Sequence, residues 1–209
     1  MRTWRQAVGT FFRYPGPRMP GGILAIALPL RLALGGGSPG DLTVIAAVAG
    51  YWPIQEWALH RYLLHLKPLR LPGRRVELEF ARRHRAHHGD PGDISLIFLP
   101  RYVHLPVPGI PGLFVLALPS LALAMTGIVS LTAAALVYEW THFVVHTRIR
   151  PRGRSAAGLF RHHRLHHFRN ERCWFAFTLP GIDAALGTSR PPREVPFSPT
   201  CRTLIDESR

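Results

Sequence analysis

Ten of the chain's twelve histidines fall into four short groups: His60 and His65 (H-x4-H), His84, His87 and His88 (H-x2-H-H), His142 and His146 (H-x3-H), and His163, His166 and His167 (H-x2-H-H). At this histidine frequency chance would place one H-x2-H-H in about twenty-five such chains, so a pair of them needs a chemical reason. Imidazole is a ligand for Zn, Cu, Fe and Ni. Residues three and four apart share a helix face, so each H-x2-H-H is expected to aim at one place, as is the H-x3-H pair. The H-x4-H pair breaks the rule, because five residues carry an α-helix about 140° away from the starting face. The helix holding it is therefore expected to end or unwind between His60 and His65. Ten ligands exceed one ion's shell. Two ions with about five imidazoles each would keep positions open for water, dioxygen or substrate, which is a catalytic arrangement and not a closed structural one. The many neighbouring arginines are expected to depress the histidine pKa values and favour the neutral, metal-binding form.

The other chemistry-bearing residues have blander readings beside the functional one. His104 reads as a polar residue at a membrane interface, and His162 as a neighbour of the site or a surface residue. Glu56 and Glu139 stand four and three residues before histidines in near-repeated E-W phrases. They read either as acceptors of imidazole N–H groups or as helix-packing acids. Asn170 reads as an orienting group in the site or the cap of a helix end. Trp174, Phe175 and Phe177 read as a substrate entrance or as an interfacial aromatic belt. Asp90 and Asp93, beside Gly89, Pro91 and Gly92, are accounted for by turn chemistry.

Four elements must bring these groups together, and the hydropathy pattern supplies them. Apolar blocks alternate with Arg-rich blocks, the pattern of a small polytopic membrane protein. Spans are expected at about 21–35, 42–64, 105–125 and 128–146, with Arg31 in the first reaching for the far surface. Basic residues are retained in short cytoplasmic loops. Residues 1–20, 61–88 and 148–172 are rich in arginine, whereas 35–41 and the expected turn Thr126-Gly127 have none. Four spans put all three basic blocks on one side, with both termini and the histidines cytoplasmic. A cytosolic cap is expected over 66–100 and 148–190, and an extended, Pro-rich strap over 191–209. No cleavable signal peptide is expected, since the first twenty residues lack an apolar core.

Composition bounds the alternatives. The 209 residues suit one domain, and 26 basic against 12 acidic residues give +14. With 47% hydrophobic residues that charge excludes a disordered polycation. The arginines flank apolar spans and do not decorate a docking helix, so nucleic acid is not the expected partner. Cys173 and Cys201 form neither a disulfide framework nor a C-x-x-C pair, which favours a reducing compartment. A His-rich storage tract would be contiguous, and a metal transporter would place its ligands at mid-bilayer on broken helices. Neither fits groups spread over helix ends.

The phrases Glu56 to His65 (E-W-A-L-H-R-Y-L-L-H), His84 to His88 (H-R-A-H-H), Tyr138 to His146 (Y-E-W-T-H-F-V-V-H) and His163 to Asn170 (H-R-L-H-H-F-R-N) resemble, in order and spacing, the four boxes of the fatty acid hydroxylase superfamily. This superfamily comprises integral-membrane, histidine-rich diiron enzymes and includes sterol desaturases; the similarity is to its fatty acid 2-hydroxylase branch and runs from about Ala46 to Thr188. The resemblance implies an all-α, four-helix membrane domain under a cytosolic cap, two irons held by the ten grouped histidines, dioxygen as co-substrate, and hydroxylation of a lipid acyl chain. It also implies a separate electron-transfer protein, because roughly 80 to 100 residues for a fused haem domain are not to spare. Zinc is expected to replace iron in purified samples, as it binds nitrogen sites more tightly. Within the same chemistry a sterol or carotenoid oxidase remains open. A membrane zinc hydrolase is less expected, as no H-E-x-x-H occurs.

Overall fold

A computed structural model describes residues 1, 3–98 and 109–205. Arg2, His104 and the opening of the third expected span at 105–108 lie outside the described residues. Nine α-helices are described: α1 (Trp4–Phe11), α2 (Pro15–Ala33), α3 (Pro39–Ala58), α4 (Glu79–Gly89), α5 (Ile94–Ile97), α6 (Gly109–Ala117), α7 (Leu121–Val145), α8 (Arg154–Phe168) and α9 (Gly181–Ala185). A two-stranded antiparallel hairpin, β1 (Leu69–Leu71) and β2 (Arg74–Val76), interrupts them with Leu69 opposite Val76. The all-α expectation is corrected at this point, where Gly73 takes φ 73° and turns a short basic segment back on itself.

The frame is built by α2, α3 and α7, with α6 against α7. Helix α3 starts at a full capping box: Ser38 Oγ accepts from Asp41 N at 3.3 Å, and Ser38 N donates to Asp41 Oδ2 at 2.7 Å. Helix α7 starts at Ser120, whose hydroxyl accepts from Leu123 N. The expected turn at Thr126-Gly127 is therefore misplaced: both residues lie inside α7, and the break falls at 118–120. Two contacts need these residues there. Any Cβ at Gly127 would overlap the Phe114 ring, so glycine admits α6 against α7. Thr126 Oγ1 meets Asp41 and accepts from Arg31 Nε at 2.6 Å. Arg31 Nη2 pairs with Asp41 Oδ1 at 2.8 Å, and Nη1 donates to the Gly35 carbonyl. The arginine expected to snorkel thus ties α2, α3 and α7 together at the end remote from the histidines.

Among the described residues one helix, Leu121–Val145, is long and apolar enough to cross a membrane by length and composition. At its C-terminal end the core closes on α1 and α5: Phe11, Ile97, Phe98, Phe143, Val144 and Phe160 are buried together. Phe11 stands edge-on to Trp140, with centroids 5.0 Å apart. The N-terminal segment, read from sequence only as a basic flank, thus packs as a helix beneath the histidines.

Candidate metal centre

Helix α3 passes at Ala58 into a π-helical turn, Leu59–Leu64, closed by His65 N donating to the His60 carbonyl at 3.3 Å. Its i→i+5 hydrogen bonds set residues five apart over one another, so H-x4-H needs neither an end nor an unwinding between the two histidines. The helix widens instead, and ends at His65. Helix α7 runs to Val145 with His146 as its C-cap, and carries the H-x3-H pair one turn apart. Helices α4 and α8 carry the two H-x2-H-H groups, with His84, His87, His88, His163, His166 and His167 all buried.

The ten grouped histidines assemble into two clusters of five. His60, His65, His84, His88 and His166 form one; His87, His142, His146, His163 and His167 form the other. In each, one nitrogen per ring lies within 4.8 Å of the other four. The expectation that each H-x2-H-H aims at one place is corrected. Neighbouring residues on a helix diverge by about 100°, so His88 turns to the first cluster and His87 to the second, as do His166 and His167. The i, i+4 pair of each triplet stays together: His84 with His88, and His163 with His167. The clusters adjoin, the His88 and His167 rings stacking with centroids 4.1 Å apart.

Nε2 faces Nε2 across both clusters. The separations are 3.1 Å for His60–His84 and 3.2 Å for His65–His166 in the first, and 3.1 Å for His87–His146, 3.3 Å for His87–His142 and 2.9 Å for His146–His163 in the second. Metal–imidazole bonds of about 2.1 Å at right angles place neighbouring nitrogens about 3.0 Å apart, so these residues fit a metal ion. Three rings of the first cluster are fixed through Nδ1 by backbone carbonyls: His60 to Phe175 at 2.6 Å, His166 to Cys173 at 2.8 Å and His88 to Cys201 at 2.9 Å. A carbonyl can only accept, so each Nδ1 carries the proton and each Nε2 keeps its lone pair. Burial, with neighbouring imidazoles second, holds His84, His87, His88, His163 and His167 well below the usual histidine range. His166 is lowered by burial to about 4. Removal from water is the main cause, and at His65 the Arg85 charge adds to it in the same direction, so the arginines contribute only in part.

Asp183 is a supporting residue that the sequence did not single out. Fully buried, it accepts from His162 Nε2 at 2.6 Å, Ala176 N at 2.7 Å, Phe175 N at 3.0 Å and Trp57 Nε1 at 3.2 Å. It thereby joins α3, α8 and the 175–176 loop, and gives His162 a structural role. Glu56 does not hold an imidazole: Oε1 accepts from Phe177 N, Thr178 N and Thr178 Oγ1, clamping the loop over the site. Asn170 shapes the turn after α8, its Oδ1 accepting from Arg172 N at 3.0 Å. Trp174, Phe175 and Phe177 are buried, so they form no interfacial belt. Phe177 stacks on His60 at 4.6 Å and Phe175 flanks His65 at 5.4 Å, walling the clusters from water.

A cavity of about 370 Å³ reaches the first cluster at His60. Its walls are largely apolar, from Leu59, Leu63, Ile110, Ile128, Leu131 and Ala135, with Glu56, Tyr138 and Glu139 also lining it. Glu139 therefore borders the cavity floor, and no contact with an imidazole nitrogen is seen for it among the described residues.

A sequence model of the fatty acid hydroxylase family matches residues 45–188, a stretch that contains all ten clustered histidines. The chain belongs to the fatty acid hydroxylase family. It is 30% identical over 132 residues to fatty acid 2-hydroxylase of Macaca fascicularis, covering 61% of this chain and 34% of that protein. It is 28% identical over 145 residues to the Homo sapiens fatty acid 2-hydroxylase, covering 67% and 37%. The chain thus matches about a third of the length of these relatives. A solved structure of full-length scs7p, in which only the hydroxylase domain is visible, aligns over 87% of this chain and 67% of that one with a TM-score of 0.69 and 22% identity. That likeness shows that the fold is shared.

Proposed function

We propose that this protein is a membrane-bound dimetal oxygenase that hydroxylates the acyl chain of a fatty acid or acyl lipid, near its carboxyl end. The observation that carries the reading is the meeting of an apolar cavity with a five-imidazole cluster at His60. All ten grouped histidines serve as ligands, five to each ion. Two irons bound there would supply the activation of dioxygen that an unactivated C–H bond requires and that side chains cannot provide. One oxygen atom enters the C–H bond and the other leaves as water, with two electrons from a separate electron-transfer protein and two protons from solvent. The chain's own part is positional. Carbonyls of residues 173, 175 and 201 hold three imidazoles in register. The aromatic wall of Phe175 and Phe177 excludes water, and the cavity between α2, α3, α6 and α7 takes the hydrocarbon. The all-nitrogen donor set also accepts zinc, which displaces ferrous iron by affinity.

The same reading places four apolar segments in the bilayer, with the histidines and both termini on the cytoplasmic side. Supporting it, Ile26, Leu30 and Leu32 on α2, Leu42 and Ile54 on α3, Leu113 and Leu116 on α6 and Val137 on α7 are large apolar side chains exposed on the outer faces.

The test is lipid mass spectrometry of cells with and without the gene under labelled dioxygen. A gain of one labelled oxygen on an acyl species is expected; loss of two hydrogens instead would make the enzyme a desaturase. Substituting His84, His87, His166 or His167 by alanine should abolish the product and lower bound metal. Full activity with full metal content in any of the four variants would overturn the ligand assignment.

A further inference from the structure

The family match ends at residue 188, yet a segment beyond it reaches the first cluster. After a short 3-10 turn at Pro192–Glu194 the chain runs irregularly across the end of α8 and is pinned at each step. Arg169 Nε donates to the Val195 carbonyl at 2.7 Å, and Ser198 N donates to the Arg169 carbonyl at 2.8 Å. Thr200 Oγ1 donates to Glu171 Oε1 at 2.6 Å, and Arg202 reaches the Gly89 carbonyl at the end of α4. Val195 is buried against Cys173 and Trp174, so the start of this strap is seated in a small core of its own. Its consequence for the site is one atom: the Cys201 carbonyl, which accepts from His88 Nδ1 at 2.9 Å in a fully buried contact.

The two clusters differ in this respect. Three rings of the first have Nδ1 on a backbone carbonyl, whereas Nδ1 of His87, His163 and His167 in the second is buried without a hydrogen-bond partner among the described residues. A carbonyl on the remote nitrogen fixes the tautomer and the plane of a ligating ring, and losing such a partner typically weakens metal binding about 10- to 100-fold. We propose that residues 195–202 are a positioning strap for the first cluster, which they complete by holding His88 through the Cys201 carbonyl, and that the ion bound there is the more firmly held of the two. This rests on the ten histidines being metal ligands, as proposed above.

The full chain, purified in detergent and loaded with zinc, is titrated with a chelator while bound metal is counted. The wild type should hold two ions of unequal affinity. Val195→Asp, which places a charge in the strap's seat, should weaken the tighter ion about 10- to 100-fold and leave the weaker one unchanged. Thr200→Val is the milder variant if Val195→Asp does not fold, and should weaken the same ion by a smaller factor. Arg193→Ser, whose side chain is 86% exposed just before the strap, should change neither. In a His142→Ala background, where the second cluster is damaged, the remaining ion should still respond to Val195→Asp or Thr200→Val. Two ions of wild-type affinity in both strap variants would overturn the inference and leave the metal assignment standing. A wild-type chain that takes up no ion would overturn both.

Discussion

The ten clustered side chains are chemically identical, and their roles differ only through what each second nitrogen and each neighbour does. Burial lowers the pKa of the six clustered histidines on α4 and α8, His166 to about 4, while an unfolded histidine titrates near 6.5. As pH falls through that interval the unfolded chain takes up protons that the native chain refuses, so native stability rises with pH there and is lost on acidification. For His166 alone the loss is on the order of 3 kcal/mol once pH has passed below about 4. The metal-free protein should therefore unfold progressively more easily from about pH 6.5 downward, as followed by circular dichroism against denaturant. A stability that is flat over that range would mean the rings are solvated. Carboxylates act here as clamps: Asp183 and Glu56 together secure the 175–178 loop from beneath.

Helices place these rings, and two local features, one of geometry and one of size, matter most. The π turn at Leu59–Leu64 lets a five-residue spacing serve one cluster, where a continued α-helix would have turned His65 away. At Gly127 the absence of a side chain lets Phe114 lie directly on α7, and the cavity wall from Ile110 depends on that approach. Gly127→Ala should cost about 1 to 3 kcal/mol through overpacking, read as a lower unfolding midpoint in detergent. An alanine variant as stable as the wild type would place α6 elsewhere. Such a midpoint is to be compared at equal metal loading, since bound ions add their own stabilisation.

At the scale of the molecule, charge and hydropathy run along one axis. Arg31, Asp41 and Thr126 lock the end without histidines, and the arginine-rich loops gather at the end with them. Cytoplasmic retention of basic loops implies an even number of crossings between the first and last of them. Reporters fused before α1 and after residue 205 should both remain cytoplasmic, while one inserted at Gly36 between α2 and α3 should be exported. An exported C-terminal reporter would break the four-span topology.

How much of this was legible beforehand follows from what each signal depends on. The ten histidines and their number of clusters were readable because imidazole content and helical spacing are properties of the string itself. The hairpin at 69–76, the continuation of α7 through Thr126-Gly127 and the packing of α1 were not. The last two are decided by packing partners outside the segment: Asp41 for Thr126, Phe114 for Gly127, Phe143 for Phe11. The Pro119-Ser120 pair did carry a helix-start signal, and a capping argument would have found it. The partition of the clusters and the hold on His88 belong to the tertiary structure alone. Any residue can offer a carbonyl, so no side-chain type in the sequence marks Phe175, Cys173 and Cys201 for that task.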